Sequence, residues 1–117
     1  MNMDLKKLAA RLIPDSDLPS LEDCERAYPP RTLKEGAEVT RLAPSPTGFI
    51  HLGNLYSALA DERTAHTTGG VFYLRIEDTD EKRKVEGAVE SVIRSLKYFG
   101  VNFDEGAEID GENAYGP

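Results

Sequence analysis

Apolar residues recur along this chain with two different periods, and the change from one to the other divides it. Leu5, Leu8, Ala9 and Leu12 stand at helical spacing on one face, Asp4 stands where a cap is wanted, and Pro14 ends the run. A second short helix is expected after Ser20, whose Ser-x-x-Asp pattern through Asp23 has the form of a capping box, with Pro29 and Pro30 as its stop. From Val39 the pattern turns to strand, helix, strand, helix. Val39 to Ala43 reads as a short strand, and Asn54 to Thr68 as a helix with Leu55, Ala58 and Leu59 inward and Gly69-Gly70 as its end. Val71 to Glu77 is a second strand, and Val85, Val89, Val92, Ile93, Leu96 and Phe99 mark one face of a helix that Gly100 stops. Two strands joined by a helix of that length favour parallel pairing. The expectation is an α/β fold over residues 39–117, the first half of a doubly wound (Rossmann-like) parallel sheet, preceded by a short helical N-terminal arm over residues 1–38. Ligand sites are then expected at the carboxyl ends of the strands.

The stretch from Arg41 to Asn54, RLAPSPTGFIHLGN, falls at such an end. Pro44 and Pro46 remove backbone donors and hold the approach extended, and Gly48 allows a turn close to a ligand. The helix start that follows leaves N–H groups without intrahelical partners at the positive end of the helix dipole, which suits an anion such as a nucleotide phosphate. His51 stands where a neutral imidazole can donate to a phosphate oxygen, and Gly53 leaves room for the nucleotide. Bland readings stand beside these. A lone histidine is more often a surface or core residue, Arg41 can be a surface arginine beside a strand, and Glu77-Asp78-Thr79-Asp80 can be a polar turn that caps the next helix or an acidic metal site. His66, near a helix end, reads as a solvated residue that favours the dipole, and Tyr56, Phe72 and Tyr73 read as packing residues.

Arg41 to Asn54, followed by GGVFYLRIEDTD over residues 69–80, resembles the start of the catalytic domain of the bacterial-type glutamate–tRNA ligases (glutamyl-tRNA synthetases), class I aminoacyl-tRNA synthetases. His51-Leu52-Gly53-Asn54 takes the place of the class signature His-Ile-Gly-His, with Asn54 departing from it. The resemblance covers residues 39 to about 104 and implies activation of glutamate by ATP, with Mg2+, and transfer to tRNA. It implies that Arg41, Leu42, Ala43, Ser45 and Glu77 bind glutamate, and that Pro44, Thr47, His51, Gly53 and Asn54 bind ATP. Within these sets His51 and Thr47 take the catalytic part, and Asp80 helps to place the tRNA 3′ end. No metal-ligating set is expected. Activation of this kind needs positioning and charge stabilisation more than a protein nucleophile, in keeping with a block that holds no reactive cysteine or serine–histidine pair.

Composition limits these expectations. In 117 residues, Lys and Arg number 14 against 21 Asp and Glu, for a net charge of −7, the wrong sign for a free-standing tRNA binder. Any basic tRNA surface is therefore expected mainly outside this stretch. Cys24 is the only cysteine, which excludes an intramolecular disulfide and points to a reducing, cytoplasmic setting. No apolar run approaches the roughly 18 residues of a membrane span, and the N-terminus lacks a signal-peptide core. No further strand pair is read before Pro117, and the second class signature, Lys-Met-Ser-Lys-Ser, is absent. The chain reads as a truncated N-terminal piece without activity of its own. Two other readings stay open: a shortened paralogue that glutamylates a tRNA nucleoside, and a non-catalytic nucleotide-binding or interaction module.

Overall fold

In a computed structural model of the protein, the described residues are 5–13, 18–79, 82 and 85–107. They belong to two units, Met1–Arg31 and Thr32–Pro117. The expected cap at Asp4 and the stop at Pro14 lie outside the described residues.

The first unit holds α1 (Leu5–Leu12) and α2 (Leu21–Ala27). The capping box at Ser20 forms as expected: its Oγ accepts from Asp23 N at 3.1 Å, and Asp23 Oδ2 accepts from Ser20 N at 3.1 Å and from Ser20 Oγ at 2.6 Å. These bonds to the ionised form hold the Asp23 carboxyl below its ordinary range, the Ser20 hydroxyl contributing most. No residue of α2 is buried.

The second unit alternates strand and helix: β1 (Val39–Leu42), α3 (Leu52–Thr68), β2 (Val71–Leu74), α4 (Ala88–Tyr98) and β3 (Glu105–Gly106). Its sheet is parallel in the order β1-β2-β3, with Val39 opposite Val71, Leu42 opposite Leu74, and Tyr73 opposite Glu105. This is the α/β, Rossmann-like arrangement that the pattern predicts. Leu42, Phe72 and Leu74 from the sheet, Ala58 and Ala65 from α3, and Val92, Ile93 and Leu96 from α4 close over Val101 as one core. Burial of each large side chain in such a core contributes about 1.5–3 kcal/mol.

Several elements differ from expectation, each for a local reason. β3 was not expected; it pairs for only two residues, one a glycine, too few to show alternation. Helix α3 opens two residues early, at Leu52. Its inward stripe is Ala58, Glu62 and Ala65, at spacings of four and three, so Leu59, one step round the helix, is 41% exposed. Tyr56 is exposed rather than packed. Helix α4 begins only after Gly87, which leaves Val85 outside it, and Phe99 stands past its end; both are exposed.

Small residues on the α3 stripe let the helix lie close to the sheet, and Thr40 Oγ1 donates to the Asp61 carbonyl at 2.7 Å. Gly69 caps the helix in the left-handed conformation (φ 69°), its N–H reaching the Ala65 and His66 carbonyls. At Gly70 a Cβ would collide with the Glu38 carbonyl, so the return into β2 needs glycine for space.

The buried Glu62 has a defined job. Its Oε1 accepts from Asn102 N at 3.2 Å and stands 3.7 Å from His66 Nδ1, while His66 Nε2 lies 2.9 Å from Asp104 Oδ2. That same Asp104 oxygen accepts from Phe72 N at 2.8 Å. Together they tie the last turns of α3 to the segment entering β3. His66, exposed and in the last turn of α3 as expected, also bridges the two carboxylates. Among the described residues Glu62 Oε2 has no hydrogen-bond partner, and Arg63 Nε stands 3.5 Å from it.

Candidate active site

The loops leaving β1 and β2 emerge side by side because Leu42 and Leu74 are paired. Beyond the strands the pairing goes on as two backbone stitches, Arg75 N to Leu42 O at 2.9 Å and Glu77 N to Pro44 O at 3.0 Å. A third bond, Val85 N to Pro46 O at 2.9 Å, anchors the proline loop, and Pro46 is buried. Between these anchors Thr47 N turns back on Ser45 O at 2.8 Å, and Gly48 takes φ 137°. The chain then enters α3.

His51 is the N-cap of that helix, with extended backbone (φ −98°, ψ 167°). Its Nδ1 accepts from Asn54 N at 3.4 Å, and Asn54 Oδ1 accepts from His51 N at 3.5 Å, a long capping box. An accepting Nδ1 places the proton of a neutral ring on Nε2, which is left as an outward donor. Gly53 also has a role inside the protein: a Cβ there would stand 3.0 Å from His51 Cε1 and 3.1 Å from Nδ1. The missing side chain makes room for the imidazole.

On the strand side, Arg41 Nη1 lies 4.0 Å from Glu77 Oε1, both groups part-exposed. Arg75 reaches the same Glu77 oxygen, from Nε at 2.8 Å and from Nη2. Asp61, on α3, has its carboxyl raised above the ordinary range by burial, against the opposing pull of the Arg41 guanidinium. The Leu42 side chain belongs to the core, so this residue faces the site through its main chain, and its carbonyl is taken by Arg75. Ser45, Thr47 and His51 are exposed, Ala43, Pro44 and Asn54 half-buried. Asp80 lies outside the described residues. Sequence reasoning passed over Arg75 and Asp61 as partners; for Arg75 the signal was its spacing of two from Glu77, which puts both on one face of an extended segment.

The arrangement offers an exposed imidazole at a helix start, and an arginine and a carboxylate held at the ends of two adjacent parallel strands. Chemically it suits a phosphate-bearing molecule at the helix and a small ligand with both charges at the strands. An apolar groove of about 240 Å³ is lined by Leu52, Leu55, Tyr56, Leu59, Phe99 and Val101.

Residues 38–115 match the family of class I tRNA synthetases (E and Q), catalytic domain. A glutamate–tRNA ligase of Acetivibrio thermocellus is 62% identical over 98% of this chain, and one of Clostridium perfringens is 51% identical over 98%. This chain spans about a fifth of the length of those relatives, 21% in each case. Among solved structures, the crystal structure of a glutamate tRNA ligase from Elizabethkingia meningosepticum in complex with its amino acid superposes with a TM-score of 0.60 at 42% identity, over 68% of this chain and 15% of that one.

Proposed function

This chain belongs to the catalytic-domain family of class I tRNA synthetases for glutamate and glutamine, and from that premise we propose that it forms the glutamate- and ATP-holding part of a glutamate–tRNA ligase. In this reading glutamate and ATP join as an adenylate, pyrophosphate leaves, and the glutamyl group passes to the tRNA terminal ribose. Residues 39–117 are the opening half of the catalytic domain and residues 1–38 an extension before it. The relatives matched along 98% of the chain, extension included, are ligases, which supports this over a shortened paralogue or a silent module.

Arg41 receives a substrate carboxylate and Glu77 the substrate ammonium, with Ala43, Ser45 and the Leu42 main chain lining the same pocket. A guanidinium fork suits the first task, and an ionised carboxylate, acceptor only, suits the second. His51 donates from Nε2 to the ATP phosphates as charge builds there, and Thr47, Pro44, Gly53 and Asn54 complete the nucleotide side. Mg2+ enters with ATP as part of the substrate. Asp80 serves the tRNA 3′ end, most of the tRNA surface lies in other parts of the ligase, and the setting is the cytoplasm. No helix among the described residues is long and apolar enough to cross a membrane.

The observation that carries this reading is the pairing of an Nε2 donor at the opening of α3 with the Arg41–Glu77 pair at the stitched strand ends. It is tested by Arg41→Ala in the full-length ligase, with tRNA present. Loss of a charge-assisted pair worth about 1.5–3 kcal/mol lowers kcat/KM for glutamate by roughly ten- to a hundredfold while KM for ATP holds. A change in the ATP constant alone shows the pocket to be assigned the wrong way round.

A further inference from the structure

Two guanidinium groups compete for one oxygen in the strand-end site. Residues 75 and 77 follow β2 in extended chain and share a face, so Arg75 folds onto its own neighbour Glu77. Two bonds from its side chain, from Nε at 2.8 Å and from Nη2, end on Glu77 Oε1. Arg41 Nη1 stands 4.0 Å from the same atom, in ion-pair range without a hydrogen bond. Arg75 therefore holds the carboxylate, and Arg41 is kept at a distance.

The alternative arrangement has a cost to binding. Arginine and carboxylate side chains prefer a direct charge-assisted fork, and Arg41 and Glu77 are close enough to form one after a small rotation. The two groups that are needed for the opposite charges of an amino acid would then neutralise each other in the empty pocket. Each binding event would have to break that fork. Glu77 cannot withdraw as a whole, because its N–H is fixed to the Pro44 carbonyl. The direction of its side chain is what remains to be set.

We propose that Arg75 is a positioning residue that holds Glu77 away from Arg41, so that the empty pocket keeps its anion and its cation apart for the ammonium and carboxylate of the substrate. The proposal rests on the assignment of Arg41 and Glu77 to glutamate made above. Arg75 need not touch the substrate.

The test is ATP–pyrophosphate exchange by the full-length ligase with tRNA present, comparing Arg75→Ala, Arg75→Lys, Glu77→Ala and the Arg75→Ala/Glu77→Ala double variant. Glu77→Ala is expected to raise KM for glutamate about tenfold or more, as loss of a charged partner does. Arg75→Ala is expected to raise it by a similar factor and leave KM for ATP unchanged, while Arg75→Lys, charged but without the fork, recovers part of the loss. In the Glu77→Ala background the removal of Arg75 should add nothing, because no carboxylate remains to be held. If Glu77→Ala has a normal KM for glutamate, the pocket reading fails and this proposal with it. If Glu77→Ala is impaired but Arg75→Ala and Arg75→Lys are not, the proposal alone fails. An Arg75→Ala effect of equal size with and without Glu77 also overturns it. Should Arg75→Ala not fold, Arg75→Lys and its double variant with Glu77→Ala carry the same comparison.

Discussion

Gly53→Ala separates what the glycine does for the fold from what it does for the proposed chemistry. The added Cβ would stand 3.0 Å from Cε1 and 3.1 Å from Nδ1 of His51, tighter than ordinary contact, and the ring is the part free to move. Stability changes little. Alanine is better than glycine in a helix by up to about 1 kcal/mol, and the bond given up, from Asn54 N to His51 Nδ1, is long at 3.4 Å and worth about 0.5–1 kcal/mol. The two effects nearly cancel. Turning the ring, however, takes its Nε2 donor off line, and loss of one positioned donor slows such reactions by about 10²–10³, or roughly 2.7–4 kcal/mol in the barrier. The full-length ligase should therefore show a normal unfolding midpoint and a single-turnover adenylation rate reduced by that factor. The His51→Ala/Gly53→Ala double variant should be no slower than His51→Ala, since without the ring the new methyl has space. A Gly53→Ala enzyme with the wild-type rate would refute the argument. So would further slowing in the His51→Ala background with a raised KM for ATP, which would mean that the methyl meets the nucleotide instead.

Two further predictions concern stability. Asp61 has a raised folded-state pKa, from burial against the opposing Arg41, so its ionisation disfavours the fold. The penalty is absent below the unfolded value of 3.8 and appears as pH rises through the higher folded value. Asp61→Asn, which spares the Thr40 bond because that bond goes to the Asp61 carbonyl, should raise the urea midpoint at pH 7 and have no such benefit at pH 3; an equal gain at both values would contradict this. Asp104→Ala removes the acceptor of Phe72 N and of His66, and a part-buried N–H left unpaired costs about 1–3 kcal/mol. Asp104→Asn keeps an acceptor and should cost less in the same urea titration, and a wild-type midpoint for Asp104→Ala would count against the bridge as a source of stability.

The first two strands and the two helices after Val39 were legible because strand and helix periods are distinct and Gly69 and Gly100 mark the helix ends. The stripe on α3 was read only in part. Leu55 and Ala58 face inward as expected, but nothing local distinguishes Glu62 from a solvated glutamate: its partners, Asn102 and His66, include a backbone N–H forty residues away. Val85 and Phe99 fit the apolar spacing of α4 yet lie beyond its ends, where Gly87 and Gly100 interrupt the helix. At the candidate site, Arg41, Glu77 and His51 were legible as residues and as a block. What could not be read was the relation among them: which arginine holds Glu77, and that Gly53 accommodates a side chain of the protein itself.

Ala58 and Ala65 act as shims. Both belong to the core, their volume sets the stand-off between α3 and the strands, and both are fully enclosed, leaving no slack for a larger group. A methyl or two added at Ala58 must be taken up by tilting the helix. His51 sits seven residues earlier, about 10 Å along the axis at 1.5 Å per residue, and moves with the tilt. The aim of the imidazole is thus calibrated from the interior, and substitutions that never meet a substrate can retune it.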